Sequence, residues 1–142
     1  MPTIVICSSA NFYEHAVAVE ARLEAHGFTV ILPKSARAMK AAGDYTVRKT
    51  WYDNPDDYTH KRELMLAHFD EIARGDAILV LNYEKHGQAN YIGPNVLMEM
   101  GIALHHHKTI YILNDLPENS PFEEELKGFL PIILHGDLTK IN

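Results

Sequence analysis

The chain has 142 residues, 46% of them hydrophobic and 23% charged, so we expect one globular domain, residues 1–142, with a buried core. No apolar run approaches the roughly 20 residues that cross a bilayer, and residues 1–6 lack the basic leader of a signal peptide. A single cysteine excludes a disulfide framework and a cysteine-rich zinc site, and a net charge of −6 disfavours binding to a nucleic-acid backbone. We therefore expect a cytoplasmic domain with no cofactor, no membrane partner and no nucleic-acid partner.

Short apolar runs alternate with helical patterns along the chain. The runs are apolar throughout rather than alternating, which is typical of strands buried on both faces. In chain order we predict strand Thr3–Cys7, helix Phe12–His26, strand Phe28–Leu32, helix Asp56–Arg74, strand Ala77–Leu81, helix Asn95–His106, strand Thr109–Leu113, helix Phe122–Lys127 and strand Pro131–Leu134. Residues 34–57 are the least regular part. We interpret them as a long solvated connection, or alternatively as a lid in which Tyr45, Trp51 and Tyr52 supply stacking faces.

This alternation predicts an α/β fold, a doubly wound five-stranded parallel sheet of the flavodoxin or Rossmann type with strand order 2-1-3-4-5. In such sheets the ligand lies at the carboxyl ends of the strands, where the winding reverses, here between strands one and three. Two loops, Ser8–Tyr13 and Asn82–Gly93, and the helix that starts near Asn95 should therefore line the site. The candidate ligand-binding residues in these segments are Ser8, Ser9, Asn11, Tyr13, Asn82, Tyr91, Gly93 and Asn95.

Glu99 is the residue that points most strongly to chemistry. Its helix is apolar on nearly every face, which predicts burial. A buried carboxylate is costly unless it is paired, hydrogen-bonded or needed, although the nearby helix N-terminus offsets part of the cost. Glu99 is therefore either a structural residue bonded to backbone groups of a neighbouring loop, or an ionised nucleophile or base that faces the crevice; we favour the second interpretation.

Smaller signals surround this helix. Gly93 and Pro94 suit a helix start whose free N–H groups can hold an anion or a sugar hydroxyl. Asn82 and Asn114 end the third and fourth strands, where their amides could bind a sugar hydroxyl. Asp76 opens the third strand at the opposite edge of the sheet, so we interpret it as structural.

Four stretches together resemble the nucleoside 2-deoxyribosyltransferase family, which includes the 2'-deoxynucleoside 5'-monophosphate N-glycosidases. They are Asp76–Asn82, Tyr91–Gly93, Met98–Ala103 and Lys108–Tyr111, and the similarity covers about residues 65–138. The resemblance implies that a glutamate attacks the anomeric carbon of a 2-deoxyribosyl group, displacing the base and forming a covalent glycosyl-enzyme. Glu99 matches that nucleophile. The resemblance also implies a homo-oligomer in which a neighbouring subunit completes the pocket.

Two departures from the family pattern affect the expected site. Where the family usually has an aspartate, eight residues before Asp76, this chain has His68, whose imidazole, with an ordinary pKa of about 6.5, could serve as the acid. The family also tends to carry a tyrosine in the first strand, where this chain has Val5, so Tyr13 and Tyr91 are the candidate replacements. We thus predict Glu99 and His68 as catalytic residues.

The sequence leaves several alternatives open. A non-catalytic module that binds or senses a nucleotide or sugar-nucleotide could use the same scaffold. The sequence does not distinguish a hydrolase from a transferase, or a ribose from a deoxyribose substrate. It also leaves open whether a 5'-phosphate is recognised. The run His105–His107 does not predict a metal site, because consecutive helical residues point in divergent directions and histidines suit a helix carboxyl end. Cys7 is expected to be a buried filler of the core.

Overall fold

A five-stranded, all-parallel sheet forms the centre of the molecule, in a computed structural model that describes all residues from Met1 to Asn142. The strands are β1 (Thr3–Ser8), β2 (Thr29–Ile31), β3 (Ala77–Leu81), β4 (Thr109–Ile112) and β5 (Ile132–Ile133). Their order is β2-β1-β3-β4-β5, which confirms the predicted topology. β1 lies against β3 in a register that pairs Cys7 with Val80 and Ser8 with Leu81, so both strands end at the same edge.

Five helices cover the two faces of this sheet. They are α1 (Tyr13–Ala25), α2 (Lys34–Ala42), α3 (Tyr58–Arg74), α4 (Pro94–His105) and α5 (Glu123–Gly128). Side chains alternate along β1: Ile4 and Ile6 belong to the core shared with α1 and α2, whereas Val5 and Cys7 belong to the core shared with α3, α4 and α5. The thiol of Cys7 therefore faces the same side of the sheet as α3 and α4. None of the helices combines the length and apolar character that crossing a bilayer requires.

The prediction for residues 34–57 was wrong in part, because this segment begins with a regular helix. α2 buries only Ala36 against the sheet and ends at Gly43, whose φ of 67° gives the left-handed conformation of a helix cap. The helix has only nine residues, which is shorter than the windows of roughly 11–18 residues in which apolar periodicity identifies a helix, and Met39 is its one large apolar side chain. Two short 3-10 turns follow, at Thr50–Tyr52 and Pro55–Asp57.

Asp76 has the structural role that the sequence suggested. Its Oδ2 accepts a hydrogen bond of 2.7 Å from the backbone N–H of Thr3, which ties the start of β1 to the start of β3. The neighbouring Gly75 packs closely on β1, since a Cβ at this position would lie 2.6 Å from Cγ2 of Val5. The two central strands are thus fixed at the edge opposite the candidate site.

Candidate functional site

A cavity of about 580 Å³ opens at the carboxyl edge of the sheet, beside the end of β1. Its walls come from the loop after β1, one face of α3, the N-terminal turn of α4 and the segment between α2 and α3. Cavities of this volume are typical of sites for small organic ligands. The cavity lies where the winding of the sheet reverses, which is the position that topology indicates for a ligand.

Most of the site residues predicted from the sequence line this cavity. They are Ser8, Ser9, Asn11, Tyr13, His68, Tyr91, Gly93, Asn95 and Glu99. The helix start at Gly93 and Pro94 is at the cavity wall, and its first turn leaves backbone N–H groups without intrahelical partners. A polar ligand group at this wall could therefore accept hydrogen bonds from the backbone as well as from side chains.

The structure does not place Asn82 or Asn114 on the cavity. The side chain of Asn82 is fully buried and donates to the carbonyls of Asn114 (3.2 Å) and Asp115 (2.8 Å), while its Oδ1 accepts from the N–H of Asn114 (2.9 Å). The side-chain amide of Asn114 in turn donates to the carbonyl of Asn82 (3.1 Å). These two residues join the loops after β3 and β4, so their polar groups are occupied in holding the sheet edge together.

Glu99 lies in the second turn of α4 with its carboxylate at the base of the cavity. Only 14% of the side chain is exposed, and no backbone group donates a hydrogen bond to it, so the structural interpretation of this glutamate is not supported. Burial raises the pKa of Glu99 from 4.5 to about 7, although His68, Cys7 and Lys61 act in the opposite direction. A pKa of about 7 leaves a substantial part of the carboxyl in the ionised form near neutral pH, which is the form that a nucleophile or base requires.

His68 connects Glu99 to a second buried carboxylate. Its Nε2 lies 3.8 Å from Oε2 of Glu99, and its Nδ1 lies 3.7 Å from Oε1 of Glu71. Burial alone would lower the pKa of His68, but the interactions with Glu71 and Glu99 outweigh it and raise the pKa. Glu71 is held from its other oxygen by Nη1 of Arg37 at 2.9 Å. A chain of alternating charge therefore runs from Arg37 at the surface to Glu99 in the cavity.

Cys7 completes the buried cluster at the end of β1. Its Sγ lies 3.7 Å from Nε2 of His68, and the thiol, the imidazole and the Glu99 carboxylate each present an atom within 4.8 Å of the other two. Burial, and next the charge of Glu99, raises the pKa of the thiol well above its ordinary value. The sequence missed this cluster because its members come from three separate elements. One signal could have placed Cys7 there. Successive side chains of β1 point to opposite faces of the sheet, so Cys7 lies on the same face as Val5, toward α3 and α4.

Positive charge dominates the rest of the cavity wall. Glu99 is the one acidic side chain among the lining residues, whereas five lysine or arginine side chains belong to the lining: Lys34, Arg48, Lys49, Lys61 and Lys85. Lys85 bonds to Oγ of Ser9 at 3.1 Å and lies 4.7 Å from the centre of the Tyr91 ring. Lys61 comes from α3 and Lys85 from the loop after β3, so the basic side chains of this lining are drawn from separate parts of the chain.

Aromatic rings also line the cavity. Trp51 and Tyr52, in the segment between α2 and α3, and Tyr58, the first residue of α3, belong to this lining, whereas Tyr45 does not. Tyr13 is near enough to Glu99 that the carboxylate charge, after burial, raises the pKa of its hydroxyl. Tyr13, one of the two tyrosines considered as replacements at Val5, is therefore electrostatically coupled to Glu99.

A comparison with the models of known protein families gives no match, and a comparison with curated protein sequences gives none either. The functional conclusions below therefore depend on the cavity, its charges and the buried cluster around Glu99.

Proposed function

We propose that the protein cleaves or transfers the N-glycosidic bond of a (deoxy)nucleoside or nucleoside 5'-monophosphate through a covalent glycosyl-glutamate intermediate. The observation that carries this proposal is the position of Glu99, the one carboxyl group that lines a cavity of nucleotide size. The resemblance to the nucleoside 2-deoxyribosyltransferase family implies the same residue and the same chemistry.

The reaction uses the groups at the base of the cavity in a defined order. The ionised carboxylate of Glu99 forms a bond to the anomeric carbon, and the electron pair of the broken C–N bond leaves with the base. His68, whose pKa is raised by the neighbouring Glu71 and Glu99 carboxylates against the opposing effect of burial, is the candidate to supply the proton that the departing base needs. Water or a second base then releases the sugar from Glu99, which gives hydrolysis or transfer.

The charge of the cavity favours a nucleoside 5'-monophosphate over an uncharged nucleoside. Five basic side chains against one acidic side chain attract an anion into the site. The N-terminal turn of α4 and the pair formed by Ser9 and Lys85 add hydrogen-bond donors suited to phosphate oxygens. Trp51 and Tyr58 offer stacking surfaces for the base on the same wall.

Assembly of two or more copies is part of this proposal. Tyr58 and Met98 line the cavity yet remain 49% and 40% exposed, and Leu66 on α3 is 55% exposed. A neighbouring subunit over this side would cover apolar surface and close the cavity against water. Light scattering during gel filtration measures the mass in solution: a dimer or larger assembly supports this part of the proposal, and a monomer at micromolar concentration contradicts it.

The experiment that tests the activity is a chromatographic screen of the common nucleosides and their 5'-monophosphates, run in EDTA with and without a free acceptor base. Glu99→Gln removes the nucleophile, and Glu63→Gln makes the same change at an exposed position on α3 outside the cavity. The wild type and Glu63→Gln should release free base, whereas Glu99→Gln should be slower by about 10³-fold or more. Dependence on the acceptor then separates a transferase from a hydrolase.

The second candidate function is a non-catalytic module that binds or senses a nucleotide. The raised pKa of Glu99 favours it, because a protonated carboxyl can donate a hydrogen bond to a ligand without attacking it. If no substrate releases base, but a nucleotide raises the melting temperature of both the wild type and Glu99→Gln, this second function replaces the first.

A further inference from the structure

We propose that Cys7, His68 and Glu99 also form a binding site for a divalent transition-metal ion, Zn²⁺, with Sγ, Nε2 and one carboxylate oxygen as its three protein ligands. All three atoms lie within 4.8 Å of one another, and two of the three residues, His68 and Glu99, line the cavity. The inference depends on this geometry alone and holds whether or not the cavity acts on a nucleotide.

The separations between the three atoms fit a bound ion. Sγ of Cys7 lies 3.7 Å from Nε2 of His68, and Nε2 lies 3.8 Å from Oε2 of Glu99. With the third separation at no more than 4.8 Å, a point equidistant from all three is roughly 2.2–2.4 Å from each, close to zinc–ligand bonds of about 2.0–2.3 Å. This point lies in the plane of the three atoms, so a tetrahedral ion, which sits out of that plane, requires the three donor atoms to move closer together.

The surroundings of His68 supply an independent observation. Metal-bound histidines almost always donate their second ring N–H to a carboxylate or carbonyl, which fixes the tautomer and orients the ring. Nδ1 of His68 faces Oε1 of Glu71 at 3.7 Å, and these two buried atoms have no hydrogen-bond partner. A shift of His68 that closes this gap forms the carboxylate–histidine–metal arrangement. Arg37 already holds the other oxygen of Glu71 at 2.9 Å.

The donor set selects the kind of ion. A thiolate, an imidazole and a carboxylate suit Zn²⁺ and related ions, whereas Mg²⁺ and Ca²⁺ prefer oxygen donors alone. Binding replaces the thiol proton of Cys7 by the metal and releases that proton to solvent, together with the proton of any protonated Glu99 carboxyl. The resulting thiolate and carboxylate balance the two positive charges of the ion. This balance is needed because the position is largely buried, where an uncompensated charge is costly.

A bound ion would change what the cavity can do. Three protein ligands leave a fourth position, which faces the cavity because Glu99 and His68 line it. The ion would also occupy the carboxylate oxygen that the proposed glycosyl transfer needs. We therefore expect Zn²⁺ to inhibit base release and EDTA to reverse the inhibition. This consequence rests on the proposed function, whereas the metal site itself does not.

Cobalt substitution tests the site directly, because Co²⁺ bound to a thiolate gives a charge-transfer band in the near ultraviolet. Cys7 is the one cysteine of the chain, so such a band in the EDTA-treated wild type must come from Cys7. We expect one equivalent of Co²⁺ to produce the band and one equivalent of Zn²⁺ to abolish it. Absence of the band at millimolar Co²⁺ overturns the proposal, and since the wild type is used, this outcome does not depend on the folding of a variant.

Substitutions then assign the other ligands by calorimetric titration with Zn²⁺. Cys7→Ser and His68→Gln should lose at least 10²-fold in affinity, and Glu71→Gln should lose about 10- to 100-fold while the cobalt band remains. The matched control replaces His105, His106 and His107 by glutamine together, since these three exposed histidines are a surface cluster on which Zn²⁺ could bind adventitiously. If only this control loses Zn²⁺, the binding is a surface event and the proposal is wrong. Base release in EDTA tests the glycosidase separately.

Discussion

Replacing Glu99 by glutamine tests whether this buried carboxyl lowers the stability of the folded protein. Its pKa is about 7 in the folded state and 4.5 when it is exposed. Between these values the folded protein binds more protons than the unfolded chain, so the free energy of unfolding falls as pH rises through this window. Glutamine keeps the shape of the side chain but cannot ionise.

The size of the effect follows from that difference in pKa. One pKa unit corresponds to about 1.4 kcal/mol, and integrating the two titrations between pH 5 and pH 8 gives about 2–3 kcal/mol. We therefore expect the stability of Glu99→Gln relative to the wild type to be about 2–3 kcal/mol more favourable at pH 8 than at pH 5. The side chain is only 14% exposed, so solvent screening reduces this value little.

Urea unfolding at the two pH values, in EDTA, measures this difference, with Glu63→Gln, the same change at an exposed position on α3, as the matched control. This control should change the free energy of unfolding by less than about 0.5 kcal/mol at either pH, as is usual for exposed positions away from the core. If Glu99→Gln instead changes stability equally at pH 5 and pH 8, the carboxyl is not strained by burial and the reasoning is wrong.

Three further results are expected. In EDTA, the single-turnover rate of base release should rise with pH as Glu99 ionises around its pKa of about 7, and should fall again at higher pH as His68 loses the proton that it donates; a profile without the rising limb contradicts this. Gly75→Ala should lower the free energy of unfolding by about 1–3 kcal/mol, since its Cβ would meet Val5, whereas Gly101→Ala adds a Cβ in open space within α4 and should raise it by about 0.5–1 kcal/mol. Urea unfolding measures both variants. Equal changes in the free energy of unfolding would show that the close approach of Gly75 to Val5 does not determine the effect of the added Cβ. Asn82→Ala should cost about 2–4 kcal/mol in the same assay and leave nucleotide affinity unchanged. If Asn82→Ala instead weakens nucleotide binding and leaves the stability unchanged, Asn82 is a ligand-binding residue as the sequence predicts.

The features that the sequence predicts well are those set by apolar pattern and chain connectivity. Uniformly apolar runs such as Ala77–Leu81 predict buried parallel strands, and right-handed crossovers then restrict the strand order. That topology also nominates the loop after β1 and the start of α4, and Glu99 follows as an ionisable residue in an apolar helix beside them. Each of these inferences needs only local pattern and general rules of topology.

Features that depend on which side chains meet in space could not be predicted. Cys7, His68 and Glu99 come from β1, α3 and α4, and their approach depends on the depth and rotation of two helices against the sheet. Asn82 shows the opposite error, in which the sequence predicts a contact that the structure does not contain. Its position at a strand end indicates a ligand contact, but its amide is turned toward the loop after β4 instead of the cavity.

The central claim of the account is that Glu99 forms a covalent bond to the sugar of a nucleoside or nucleotide. Intact mass spectrometry of protein quenched in acid during turnover tests it directly, and peptide mapping then identifies the modified residue. We predict an added mass equal to a pentosyl or phosphopentosyl group on the peptide that contains Glu99, and no such addition in Glu99→Gln. Release of base with the added mass on another residue, or at the wild-type rate by Glu99→Gln, would contradict the account.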